Sequence, residues 1–325
     1  MSGTPRILVL SLGGTITMVP TAAGGIVPTL GAVELVASVP ALAEVAAIEA
    51  ESPFRLPSPS LDPSNIMAVA ARIESALAAG CDGAVVIQGT DTIEESAFLL
   101  DLLIAGEKPV VVTGAMRGAD APGADGPANL LAAVRVAVSV EARGLGTLAV
   151  LNYDIHAARF VQKSHTALPS AFASPLAGPL GTVIEGRPRI YTRVARAPCW
   201  PVASGPPHPV ALLRWAMGDD GRLAAALPGL GYAGAVVEGM GAGHVPEAAV
   251  PALGELARRM PVVLASRCMT GPVFTGTYGY AGGEIDLIRR GLIPGGYLSG
   301  LKARLLLGLV LRDGADPAAA FAAYG

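Results

Sequence analysis

Thr15, Thr90, Asp91 and Lys163 are the residues whose types and local settings could do chemistry together. Thr15 follows Gly13 and Gly14 at the end of an apolar run, and Thr90 and Asp91 follow Gly89 in the same way. A hydroxyl beside a carboxylate at the end of a buried strand can orient a small polar substrate and move a proton. Hydrolysis of an amide or ester needs a nucleophile, a group that takes its proton and donors for the oxyanion. No GxSxG elbow and no Ser/His/Asp order is present to supply these another way. Lys163 lies in a polar stretch able to fold back over a sheet, where a lysine between a carboxylate and a hydroxyl can pass a proton. Each threonine taken alone fits an ordinary turn or N-cap hydroxyl equally well.

The elements that must position these groups are legible around them. In residues 83–97, GAVVIQGTDTIEESA, the run 84–87 reads as a buried parallel strand that exits at Gly89. A helix then opens with Glu94 and Glu95, which suit its positive end as capping residues. Strand, tight turn and helix place polar side chains at the carboxyl edge of a parallel sheet, where open α/β folds bind ligands. ILVLSLGGTIT at 7–17 is a second strand running into a glycine turn, without the P-loop lysine or the GxGxxG fingerprint of a nucleotide site. Residues 18–30 read as a loop, a candidate lid.

Further along, Asp62-Pro63 starts a helix that stops at Gly80, and 108–117 (KPVVVTGAMR) holds another strand. DGPANLL at 125–131 opens a helix and GTLAVLNY at 146–153 is a strand. The alternation predicts right-handed βαβ units of a parallel sheet. Residues 154–196 are polar and irregular, as in hairpins closing a domain, and 197–209 carries five prolines and reads as a linker. Strands at 210–215, 234–238 and 261–265, with helices at 247–259 and 298–311, predict a second α/β unit. The expected fold class is therefore α/β, with a larger, flavodoxin-like parallel-sheet domain over 1–196 and a smaller C-terminal α/β domain over 210–325.

Composition narrows the function. Charged residues are 15% of the 325, apolar residues are 52%, and there are 41 glycines, which is a buried-sheet profile. A net charge of −3 offers no electrostatic footprint for nucleic acid or an anionic membrane. The three cysteines form no CxxC, so neither a disulfide framework nor a zinc site is expected. The uncharged stretch 7–33 has an apolar part of only 7–12 before glycines and prolines break it, so neither a signal peptide nor a membrane span is expected and the cytoplasm is the expected location.

Ordered blocks along the chain carry a resemblance. LGGTIT (12–17), VIQGTDTIEESA (86–97), KPVVVTGAMR (108–117), DGPANL (125–130) and Lys-Ser-His-Thr at 163–166 resemble those of bacterial-type L-asparaginases, the first two being the family's signatures. GMGAGHVP (239–246), with LKARLLL (301–307), extends the resemblance over nearly the whole chain. It implies hydrolysis of the side-chain amide of L-asparagine to L-aspartate and ammonia through an acyl-enzyme, without cofactor or metal. It also implies a homotetramer, a dimer of intimate dimers, whose sites for the small amino-acid substrate are completed across each intimate dimer.

By motif position Thr15 resembles the nucleophile, and Thr90, Lys163 and Asp91 a second relay. Asp91 also resembles the ligand of the α-ammonium, Ser58 that of the α-carboxylate, and Ala115 a main-chain contact to the side-chain amide. Glu284, in YAGGEIDL, is the candidate acid reaching the neighbouring subunit's site, with a helix N-terminal glutamate as the other reading. Residues 16–30 lack the tyrosine common in the family's lid, Pro59 stands where a glutamine often follows the serine, and His244 replaces the usual asparagine. Glutaminase or D-asparaginase activity on the same fold, or a non-catalytic amino-acid sensor, are the competing functions. His156 and His208 are expected at the surface or in loops, and His165 as a support for Lys163.

Overall fold

Unbroken apolar runs demand cover on both faces, and the N-terminal half supplies it by stacking helices on either side of one sheet. The computed structural model describes residues 3–20, 26–28, 30–200 and 205–324. It divides into two compact units, Met1–Cys199 and Trp200–Gly325.

In the first unit β1 (Arg6–Ser11) leads to a two-stranded antiparallel ribbon, β2 (Met18–Pro20) with β3 (Ile26–Pro28). Part of the expected loop at 18–30 is therefore paired, and residues 21–25 and 29 lie outside the described residues. There follow α1 (Ala32–Ala37), β4 (Ala47–Glu51), α2 (Pro63–Ala78), β5 (Gly83–Ile87), α3 (Ile93–Leu103), β6 (Val110–Thr113), α4 (Gly126–Ala137) and β7 (Thr147–Leu151). The region after β7 adds β8 (Asp154–Ala157), a small ribbon of β9 (Gln162–Lys163) and β10 (Phe172–Ala173), and a hairpin of β11 (Gly181–Ile184) and β12 (Arg187–Ile190). The large sheet runs β12-β11-β8-β7-β6-β5-β1-β4, parallel from β4 to β7 and antiparallel beyond.

The five parallel strands lie in space as second, first, third, fourth and fifth of their chain order, the flavodoxin-like arrangement. Its switch point, where successive connections leave in opposite directions, lies between β1 and β5. The helices do not all obey the expected hand. α1 and α4 contribute to one core cluster with the sheet, whereas α2 and α3 pack together on the other face. Steps β5 to β6 and β6 to β7 go the same way across the sheet with helices on opposite faces, so they have opposite hands. The connections through α1, α2 and α3 agree, in the right-handed sense that such units take almost without exception. The connection through α4 is the reversed one. This corrects the expectation of uniformly right-handed units.

Strand β4 was not expected either. It is the sheet edge, and Glu49 and Glu51 alternate along it and pair with Arg72 of α2. Charges on an edge strand discourage pairing with another chain, and they also erase the hydrophobic signal.

The second unit is a four-stranded parallel sheet in the order β13 (Val210–Arg214), β14 (Gly234–Gly239), β15 (Val262–Ser266), β16 (Ile293–Pro294). Its helices are α5 (Arg222–Ala226), α6 (Val250–Arg259), α7 (Glu284–Arg289), α8 (Gly300–Asp313) and α9 (Pro317–Ala322). No helix among the described residues is long and apolar enough to cross a membrane.

The far end of α3 is held by Arg196, with the Cys199 thiol on two of the same carbonyls. Arg196 donates to the carbonyls of Asp101 (3.2 Å), Ala105 and Gly106 (3.0 Å each) and Ile104, and its Nε lies 3.5 Å from Asp101 Oδ1. Burial pushes the Asp101 carboxyl above its ordinary range, against the Thr147 amide and Arg196. Removing the cation leaves that carboxylate uncompensated. Arg196→Met should lower unfolding stability by about 3 kcal/mol in urea titration, and Asp101→Asn added to it should recover part of the loss. A cost below about 1 kcal/mol would mean that solvent already screens the pair.

Candidate active site

Parallel pairing sets the site before any side chain does. Ser11 of β1 lies opposite Ile87 of β5, so the turns carrying Thr15 and Thr90 leave the same sheet edge from adjacent strands. The two turns touch through backbone alone. A Cβ on Gly14 would lie 2.1 Å from Gly89 N and 2.3 Å from its Cα, and Gly14 has φ +94°, so glycine is required there on both counts. Thr15 opens a short 3-10 turn (Thr15–Thr17) that closes as Thr17 N and Thr17 Oγ1 both donate to Gly14 O, at 2.9 and 2.7 Å.

Ser58 comes from the turn after β4, on the other side of β1. It is buried, its Oγ accepts from Asp91 N at 3.2 Å, and its carbonyl accepts from Thr92 Oγ1 at 3.3 Å. Gly89 again needs to be small, since a Cβ there would meet Ser58 Oγ at 2.7 Å. Buried Gln88 donates to Thr92 Oγ1 at 3.1 Å and steadies the turn from below.

Lys163 reaches in from β9. Its Nζ donates to Thr90 Oγ1 at 2.8 Å and to Asp91 Oδ1 at 2.6 Å. The Lys163 side chain is only 14% exposed, whereas the Asp91 side chain is 60% exposed. The carboxylate therefore keeps lone pairs for a cationic ligand while it anchors the ammonium. Thr90 accepts from Lys163 and retains its own proton to donate.

The turn after β6 forms the next wall. Ala115 is buried there, and the amides of Met116 and Arg117 both donate to Asp125 at 2.9 Å. Asp125 was expected only as the N-cap of α4, yet its carboxylate makes no cap bond and holds this turn instead. Asn129, also on α4, donates to Gly114 O at 2.9 Å and accepts from Asn152 N at 2.9 Å, tying together the turns after β6 and β7. Gly126 packs under Ile16, where a Cβ would come within 2.7 Å of Ile16 Cγ1. Gln88, Asp125 and Asn129 were not singled out for a site from sequence; the VIQGTDTIEESA block for Gln88 and the DGPANL block for the other two were their only signals.

Thr15, Thr90, Asp91, Ser58, Lys163 and Ala115 thus all belong to the carboxyl-edge turns and flanking ribbon of the first unit. Glu284 belongs to the second unit, at the first position of α7. It is 0% exposed, and its Oε1 accepts from the amides of Thr277 and Tyr278 at 2.7 Å each. Burial would raise its pKa, but those two amides and His244 outweigh it and hold the carboxyl below the ordinary range. His244 Nε2 lies 3.3 Å from Glu284 Oε2, and its ring meets Tyr278 and Tyr280 edge-on. The outward group of the pair is His244, not the acid.

The histidine expectations need correction at His156. It is 1% exposed on β8, with Nδ1 2.9 Å from buried Ser174 Oγ, and burial lowers its pKa to about 4. His165 is exposed and its Nδ1 accepts from Ala167 N and Leu168 N, at 3.0 and 3.2 Å, inside the loop joining β9 to β10.

Residues 6–196 match the family model "Asparaginase, N-terminal", and residues 209–322 match "Glutaminase/Asparaginase C-terminal domain". A probable L-asparaginase of Deinococcus radiodurans is 38% identical, over 96% of this chain and 94% of that protein. A glutaminase-asparaginase of Pseudomonas fluorescens is 33% identical, over 80% of this chain and 75% of that protein. A crystal structure of a probable cytoplasmic L-asparaginase from Campylobacter jejuni matches with a TM-score of 0.88 at 34% identity, covering 98% and 99% of the two chains.

Buried neutral His156 predicts an acid limb of stability. The unfolded chain takes up a proton near pH 6.5 and the folded chain only near 4, so the contribution is complete above about 6.5 and falls as pH drops through that window. Wild type should lose up to about 3 kcal/mol more than His156→Leu between pH 6.5 and 4 in urea titrations. Parallel pH profiles for the two proteins would refute the assignment.

Proposed function

The chain belongs to the asparaginase family, and from that premise we propose that it hydrolyses the side-chain amide of L-asparagine to L-aspartate and ammonia, with Thr15 as nucleophile. The observation that carries the reading is the Lys163 ammonium set between Thr90 Oγ1 and Asp91 Oδ1, at 2.8 and 2.6 Å, beside the turn that presents Thr15. Exposed Asp91 receives the substrate's α-ammonium, and Ser58 its α-carboxylate. The amide carbonyl then lies toward Ala115, whose main chain contacts it.

Thr15 Oγ attacks the amide carbon and gives up its proton, and the carbonyl becomes an oxyanion that amide N–H groups of the surrounding turns can meet. The C–N bond breaks as the nitrogen gains a proton, ammonia leaves, and an ester joins the β-carboxyl to Thr15. Water attacks this ester and its proton enters a relay in which Thr90 passes one to Lys163 as Lys163 passes one to Asp91, and L-aspartate departs with Thr15 reprotonated. The second unit contributes through His244, which Glu284 orients. We place this pair at the site of a neighbouring subunit in a homotetramer built from intimate dimers. Phe274, Tyr278, Tyr280 and Met269, all exposed on that unit, form the apolar surface expected of such an interface. A cytoplasmic location fits the three free cysteines.

Glutamine is the second reading, since one relative is a glutaminase-asparaginase. A single methylene in a fitted pocket discriminates by about 1–3 kcal/mol. L-Asn should therefore exceed L-Gln by at least about tenfold in kcat/KM, measured by ammonia release alongside D-Asn. Thr15→Ala should lower kcat by several orders of magnitude and leave the circular dichroism unchanged. Near-wild-type turnover by that variant, or equal kcat/KM for L-Asn and L-Gln, would defeat the reading; binding without turnover would favour a sensor.

Assembly is checked separately. Sedimentation at assay concentration should give a tetramer, and a fully active monomer would remove the intersubunit role of His244 and Glu284.

A further inference from the structure

The ribbon that carries Lys163 is small, two residues in each strand, and is not part of the large sheet. Lys163 lies opposite Phe172, and Ser174 follows the last ribbon pair by one residue. The chain leaves β8 to form the ribbon and comes back to it where Leu180 N donates to Ile155 O at 2.7 Å. Between those points, the hydrogen bond between His156 Nδ1 and Ser174 Oγ, at 2.9 Å, joins a side chain of the sheet to the returning chain. Ile155 and Ala157 face the core shared with α4, so alternation along β8 turns His156 to the α3 face, against which β9 also packs.

Both ends of this bond are buried, at 1% and 5% exposure, which shields it from bulk solvent. A neutral imidazole has one N–H, and His156 Nε2 is buried with no partner among the described residues. Placing the proton on Nδ1 leaves Nε2 as a bare lone pair, which costs less to bury than an orphaned N–H. Nδ1–H then donates to Ser174 Oγ and sets the ribbon's height over the sheet. A shift of the ribbon moves the Lys163 stem with it, and the ammonium must meet two oxygens at 2.8 and 2.6 Å.

We propose that His156 and Ser174 are positioning residues for Lys163, their buried hydrogen bond fixing the β9–β10 ribbon so that the ammonium stays centred between Thr90 and Asp91. The inference rests on the amidase reading above, and a double-mutant cycle separates the two. His156→Leu should lower kcat for L-Asn by about tenfold or more, since misplacement by an ångström can cost about a hundredfold. His156→Asn, whose amide nitrogen can stand in for Nδ1, should stay within about threefold of wild type. In a Lys163→Met background the same His156→Leu change should alter residual kcat by less than about twofold, while its effect on melting temperature persists in both backgrounds.

If Lys163→Met is slow and His156→Leu costs as much on top of it, or if His156→Leu alone keeps wild-type kcat, the positioning role is overturned. If Lys163→Met turns over like wild type, the relay in the amidase reading fails instead. Should His156→Leu not fold, Ser174→Ala takes its place in the cycle, with the same expected coupling, and wild-type kcat there overturns the proposal.

Discussion

Everything in the site depends on two backbones that touch. Gly14 and Gly89 stand at the switch point of the sheet, in the turns that leave two adjacent parallel strands, with no room for a side chain between them. Backbone contact fixes the separation of the two hydroxyl-bearing turns more tightly than side-chain packing could, because there are no rotamers to relax. The Thr15–Thr17 turn is then closed locally by Thr17, and the Thr90–Thr92 turn by Ser58 and Gln88. Each catalytic candidate is held by neighbours that are themselves fixed.

The reversed connection through α4 fits the same need. A helix of the usual hand would lie on the face of α2 and α3, away from the Thr15 turn. On its actual face, α4 brings Gly126 under Ile16, Asp125 to the turn at 116–117, and Asn129 between the turns after β6 and β7. One helix N-terminus thereby braces three walls of the pocket. Uncommon handedness costs folding simplicity, and here it coincides with the polar supports of the turns after β6 and β7.

The sequence made some of this readable and hid the rest for physical reasons. Apolar runs ending in glycine revealed β1 and β5, because fully buried parallel strands leave no other pattern. Residue types beside those glycines put forward Thr15, Thr90 and Asp91, the polar stretch after β8 put forward Lys163, and the family resemblance added Ser58 and Ala115. Strand β4 stayed hidden because edge position lets Glu49 and Glu51 alternate without cost. The hand of the α4 connection was hidden because hydrophobic periodicity says which stripe of a helix is buried, not which face of the sheet buries it. His156 was misjudged since one polar residue between apolar neighbours looks alike on a surface and in a sealed hydrogen bond. Only the partner, Ser174, eighteen residues on, distinguishes the two.

Charge placement explains how so apolar a chain keeps a polar site in order. Charged residues are 15% of the sequence, and in the first unit the cation of the site is spent on two oxygens of one turn. Asp91 satisfies Lys163 with one carboxylate oxygen while its side chain stays largely exposed, so the pair is neutral toward the protein and still acidic toward the solvent side. The second unit uses the opposite arrangement. Glu284 is sealed by two amides of its own chain, and the partly exposed His244 carries its influence outward. A carboxylate so held cannot swing to a substrate without abandoning both amides, each a charge-assisted bond in a dry setting. The acid that sequence position put forward as a ligand is held on its own chain by these bonds, and the imidazole is the more exposed member of the pair.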